Sequence, residues 1–66
     1  MTFGEKIKKA RLDQFFTQKQ MADELAVSVI SIIRWETGKG KPNLSAQRKF
    51  YKYCLNKNIV FPEEKK

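Results

Sequence analysis

The segment TQKQMADELAVSVISIIRWETGKGKP, residues 17–42, carries two apolar stripes at helical spacing with almost nothing between them. Thr17 is placed to cap a helix, and Gln20 stands in the capping-box position three residues on. Met21, Ala22 and Leu25 form the buried stripe of that helix, while Lys19, Asp23 and Glu24 face water. Ala22 is small enough to allow a close crossing with a neighbour. Only Ala26 and Val27 separate Leu25 from Ser28, which leaves room for a tight turn and no more. Ser28 is then the cap of another helix, ending near Glu36. At about 100° per residue, Ile32 and Trp35 fall on one side of it. Ile30, Ile33, Arg34 and Thr37 fall on the other, with Val29 and Ser31 at the flanks. The first side has partners in Met21, Ala22 and Leu25. The second has none. Gly38 is placed to end the helix in a left-handed conformation, and GKGKPN reads as a loop.

Upstream, Thr2 and Glu5 make a second capping box, and the spacing of Phe3, Ile7 and Ala10 predicts a helix over 3–14. Its outer face carries Lys6, Lys8, Lys9 and Arg11, with Phe15 and Phe16 near its exit. Downstream, Asn43 or its neighbour starts a last helix running to about Leu55. Leu44, Gln47, Phe50 or Tyr51, Cys54 and Leu55 are expected inward, and Arg48, Lys49 and Lys52 outward. Asn56 and Asn58 signal a turn. The apolar triplet 59–61 either packs back on the core or joins a dimer contact together with Tyr53. Residues 62–66, PEEKK, have nothing to bury and are expected to fray. The layout is therefore all-α: one domain over residues 1–58, then an extended segment and charged tail over 59–66.

Sixty-six residues make one small domain, and a chain of this size buries only about 60% of the surface its unfolded form exposes. A single cysteine, Cys54, precludes an internal disulfide and reads as a small buried hydrophobe, and the absence of histidine excludes the usual zinc clusters. With no paired carboxylates and little room for a pocket, an enzyme is the poorest reading, and no cofactor, metal or small-molecule ligand is expected. No secretory or membrane-crossing stretch is present, so the expected compartment is the cytoplasm. Charge is more informative. Fourteen Lys and Arg against seven Asp and Glu leave +7, with a pI near 9.8. From Thr37 to Pro62 there is no acid at all, but there are Lys39, Lys41, Arg48, Lys49, Lys52 and Lys57. One-sided charge of this kind attracts polyanions.

Two short helices joined by a tight turn define the helix-turn-helix unit. Its second helix fits the major groove of DNA, where an exposed Arg34 would pair bidentately with guanine. Val29 and Ile30 would pack on thymine methyl groups. The helix starts at Thr17 and Ser28 present free amides and partial positive charge, which suits phosphate. The loop 38–41 lacks the spacing of a P-loop and reads as a phosphate-contacting segment, with Thr37, Lys39 and Lys41 as its donors.

These same residues resemble the Cro/C1-type helix-turn-helix family of phage and bacterial regulators, also called the Xre family. The matching positions are Thr17-Gln18, Met21-Ala22, Leu25, Val27-Ser28, Ile32, Arg34-Trp35-Glu36, Gly38-Lys39 and Pro42, and FGEKIKKAR resembles the first helix of that family. The likeness covers about residues 3–55. It implies a compact four- to five-helix, lambda-repressor-like domain that binds double-stranded DNA as a homodimer. It also implies a transcriptional regulator of the nucleoid, a small repressor of a mobile genetic element. On that resemblance Gln18 and residues 28–30 would lie at the groove, Arg34 one turn deeper, and Gln18, Ser31 and Lys39 at phosphate. Arg11 and Glu36 would form a structural salt bridge. Two departures stand out. Ala26 occupies a turn position where the family most often has glycine, which costs on the order of 1 kcal/mol if the backbone there is left-handed. Val29, Ile30 and Ile33 stand where polar readers are usual, which admits an alternative: an adaptor or antitoxin using that apolar face for a protein partner.

Overall fold

The computed structural model describes residues 1–62. It contains α1 (Phe3–Asp13), α2 (Gln18–Leu25), α3 (Val29–Glu36) and α4 (Leu44–Lys57), and no strand among the described residues. Every helix begins on a side chain that accepts a hydrogen bond from the first turn: Thr2, Thr17, Ser28 and Asn43. Both capping boxes close. Thr2 Oγ1 accepts from Glu5 N at 3.1 Å while Thr2 N donates to Glu5 Oε1 at 2.7 Å. Thr17 and Gln20 repeat this at 3.1 and 2.8 Å. Such caps remove orphan donors from short helices that would not persist alone.

The ends are set by left-handed residues. Gly38, at φ 74°, stops α3 as expected, with Lys39 N donating to Arg34 O at 2.9 Å. The first helix ends one residue before the expected Gln14, which becomes its cap, because Phe15 turns to φ 59°. The last helix runs past Leu55 to Lys57, with Asn58 at φ 58° closing it. Ala26 is left-handed too, at φ 56° and ψ 46°. Left-handed geometry costs a residue with a Cβ about 1–2 kcal/mol, partly offset by the greater chain entropy of glycine. Ala26→Gly is therefore expected to stabilise the domain by about 0.5–1 kcal/mol and raise its melting temperature by a few degrees. Thermal unfolding followed by circular dichroism checks this; an unchanged or lower midpoint would mean the turn is not strained.

The core is Ile7, Ala10, Met21, Ala22, Leu25, Ile32, Phe50, Cys54 and Phe61, with Phe3, Phe16, Val27, Val29, Trp35, Tyr53 and Ile59 packed around it. Two inward expectations fail on α4. Leu44 and Leu55 point to solvent, Phe50 rather than Tyr51 is buried, and Gln47 is half-buried. The buried arc of α4 is centred between Phe50 and Cys54, and both leucines lie on the order of 100° away from that centre. What sets this rotation is aromatic packing from distant residues. Phe50 meets Phe3 edge-on at 5.3 Å and Phe61 at 6.0 Å between ring centroids.

Of residues 59–61, Phe61 is fully buried in the core and Ile59 packs beside it, while Val60 between them is 53% exposed. Tyr53 is tied to the end of α1 by a 2.8 Å hydrogen bond from its hydroxyl to Gln14 Oε1. Burial pushes the phenol of Tyr53 above its ordinary pKa. The expected fraying over 62–66 falls mainly on residues 63–66, which lie outside the described ones.

Candidate nucleic-acid interface

Helix α3 is gripped on one side only. Its Ile32 is fully buried among the core residues of α2, and Trp35 stacks edge-on against Phe3 of α1 at 5.4 Å. The first turn of α1 comes closer still: a Cβ built on Gly4 would lie 1.9 Å from the carbonyl oxygen of Trp35. The opposite side stays open. Ile30 is 64% exposed and Ile33 40% exposed, and Arg34 and Thr37 are exposed beside them. Val29, expected to contact thymine methyls together with Ile30, is half-buried, with one part of its side chain packed against the core. A flank position on a helix whose inner side is fully covered leaves only part of a β-branched side chain outside.

The polar residues of this face divide into engaged and unengaged groups. Ser28 Oγ accepts from Ser31 N at 3.2 Å and lies 3.0 Å from Ser31 Oγ, so both hydroxyls serve the cap. Thr37 Oγ1 sits 2.8 Å from Ile33 O and 3.3 Å from Arg34 O, which directs its proton back into the helix. Gln18 is half-buried, and its amide donates to Glu36 Oε1 at 3.4 Å. Thr17 is held in its capping box. By contrast the side chain of Arg34 makes no hydrogen bond or ion pair with the described residues. Its Nε would lie 3.4 Å from a Cβ on Gly40, so the arginine rests along the bare backbone of that glycine. Together with Ser31, Trp35, Lys41 and Asn43 these two line an open cleft of 320 Å³ with no acid in it. Lys39 and Lys41 are exposed on the loop. Gly40 and Asn43 were not among the expected site residues; the sequence signal for them was their place in the GKGKPN loop, which Asn43 ends.

Behind the face, Arg11 and Glu36 lock α1 to the end of α3. Arg11 Nε donates to Glu36 Oε2 at 2.8 Å and Arg11 Nη2 to Glu36 Oε1 at 2.9 Å. Arg11 Nη1 adds a bond to Phe16 O at 3.1 Å. The two side chains are only 12% and 4% exposed, so Arg11 leaves the outer face on which helical spacing had placed it. The hydrogen bonds to Glu36 raise the guanidinium pKa further, against burial, with direct charge attraction adding to them. Because Glu36 is neutralised there, α3 presents no free negative charge to an approaching polyanion. Asp13 and Asp23 are likewise bonded, to Lys9 at 3.0 Å and Lys19 at 2.8 Å. Among the described residues no group of three or more metal-ligating side chains gathers anywhere, and no helix is long and apolar enough to cross a membrane.

Four capped helices, a tight left-handed turn and an uncovered basic and apolar helix face define a DNA-binding domain of the helix-turn-helix class. Comparison with known proteins agrees. The helix-turn-helix family model matches residues 7–46. The chain is 40% identical over 57 residues to the HTH-type transcriptional activator BcrR of Enterococcus faecalis, an alignment that covers 86% of this chain and 26% of that protein. The chain thus spans about a quarter of the length of the relative it matches. No solved structure matches it. The chain belongs to the Cro/C1-type, or Xre, family of helix-turn-helix DNA-binding transcription regulators, and its fold is the all-α, lambda-repressor-like one.

Proposed function

We propose that this chain binds double-stranded DNA with α3 in the major groove and regulates transcription from the site it occupies. The observation that carries this is the state of Arg34: exposed and unpaired on the outer face of α3, beside the exposed Ile30 and Ile33. In the groove Arg34 pairs with a guanine edge, and Ile30 and the exposed edge of Ser28 meet the neighbouring bases. Phosphates on either side are held by the amide ends of α2 and α3 at Thr17 and Ser28, with Gln18, Ser31, Thr37, Lys39 and Lys41 as positioning contacts. Two copies bind half-sites about one helical turn, roughly 34 Å, apart. Bound to the chromosome, the chain is nucleoid-associated.

Replacement of Arg34 by alanine is expected to weaken binding to a preferred duplex about 10- to 100-fold while leaving random DNA nearly unaffected. Lys39→Ala should weaken both and make the salt dependence shallower by about one unit, as for one lost phosphate contact. Binding titrations at two salt concentrations, on a duplex selected from a random pool and on a scrambled one, read both effects. Equal losses on the two duplexes for Arg34→Ala would remove the base-reading role. Repression is the output we assign, because a domain seated on a promoter excludes polymerase. The Enterococcus faecalis relative is an activator by name, so the sign is read directly from a promoter fusion carrying the selected site, with and without the chain.

A further inference from the structure

We propose that the outer face of α3 reads the C5-methyl group of pyrimidines, so that the chain discriminates thymine from uracil, and 5-methylcytosine from cytosine, where a base faces Ile30. This rests on the major-groove reading above and specifies what the helix recognises there.

The reasoning begins with what the face lacks. Its serine hydroxyls are joined to each other and to the cap, and the Thr37 hydroxyl points back into α3. Arg34 alone among the outward side chains of α3 has polar atoms that bond nothing in the described chain. A base edge in front of Ile30 therefore loses water without gaining a hydrogen bond, which is unfavourable. A methyl group there has the opposite balance. Ile30, at 64% exposure, and Ile33, at 40%, would cover it and be covered by it. Among unmodified bases the major groove presents one apolar group, the thymine C5-methyl. Methylation of cytosine at C5 puts the same group at the same ring position. That the occupant is a duplex and not an apolar protein follows from charge. The chain carries +7, and no acid lies between Thr37 and Pro62. The one acid of α3, Glu36, is only 4% exposed and bonded to Arg11.

The test uses the full chain and a duplex it selects from a random pool. Each thymine of that duplex is replaced in turn by deoxyuridine, and at the same positions cytosine is compared with 5-methylcytosine. Burying one methyl group corresponds to about a fourfold change in affinity. Wild-type protein should lose about that factor on going from thymine to uracil at one or two positions, and gain it from cytosine to 5-methylcytosine there. With Ile30→Ala both ratios should fall towards one; the side chain is mostly at the surface, so this variant keeps the fold. Ratios near one at every position in wild type overturn the proposal while leaving specific DNA binding intact. So do ratios that persist unchanged in Ile30→Ala. If no duplex is enriched at all, the major-groove reading itself fails, and the methyl proposal with it. A change in oligomeric state of DNA-free Ile30→Ala by light scattering would assign the face to a second copy instead.

Discussion

Gly4→Ala is expected to destabilise this domain by about 3 kcal/mol or more, where the same change at an unencumbered helix position adds roughly 0.5–1 kcal/mol. The reversal of sign comes from one contact. An added Cβ would lie 1.9 Å from Trp35 O and 2.9 Å from Trp35 C, both backbone atoms that no rotamer change can move. Relief requires α1 and α3 to part, which opens the Phe3–Trp35 stack and strains the Arg11–Glu36 pair. Domains of this length hold on the order of 3–10 kcal/mol in total. The variant should therefore melt at least about 12 °C lower, or fail to fold at physiological temperature. Urea unfolding of wild type and variant measures it; a neutral or stabilising Gly4→Ala would refute the close approach of the two helices.

The second large effect concerns Arg11 and Glu36. Breaking a buried pair from one side leaves the other charge without compensation, typically at about 3–5 kcal/mol. For Arg11→Ala the stranded group is a carboxylate only 4% exposed, with the Gln18 amide at 3.4 Å as its remaining partner. For Glu36→Ala it is a guanidinium whose remaining bond is to Phe16 O at 3.1 Å. The Glu36 variant should be the milder of the two, because Arg11 keeps some contact with water. Replacing both residues together with Met and Leu removes the stranded charge and should cost less than either alanine variant alone. A double-mutant cycle in urea gives the coupling directly. Additive losses would show that the pair does not act as a unit. Because this pair anchors the last turn of α3, both single variants should also loosen duplex binding in proportion to the folded fraction lost.

How far these features could be read beforehand depends on their range along the chain. The four caps were legible because each joins residues three apart: Thr2 with Glu5, Thr17 with Gln20, Ser28 with Ser31, Asn43 with Ala46. Ile30 and Arg34 were assigned outward by helical period alone, and they are exposed. The strain at Ala26 was visible as a condition, an alanine where a turn favours glycine, and the left-handed backbone meets that condition. Other features were out of reach. The rotation of α4 that exposes Leu44 and Leu55 is governed by Phe3 and Phe61, at opposite ends of the chain. Val29 sat at a flank, where period does not separate covered from bare. Gly4 offered only a glycine in a helix, with no sign that a carbonyl from Trp35 would press against it. Arg11 and Glu36, paired across 25 positions, were suggested by resemblance and not by any local rule.

By itself, then, the sequence determined the four helices, their caps, the short turn between the second and third, and a charge of +7 with no acid after Glu36 until the tail. These are local or additive properties, set by hydrogen bonds within a turn and by sums over residues. Tertiary structure alone decided how far each position of the outward side of α3 would be left bare, with Val29 drawn against the core and Ile30 left 64% exposed. Burial is a property of what arrives from elsewhere: α1 brings Phe3 and Gly4 against Trp35, the core encloses Ile32, and nothing from α4 reaches across Ile30.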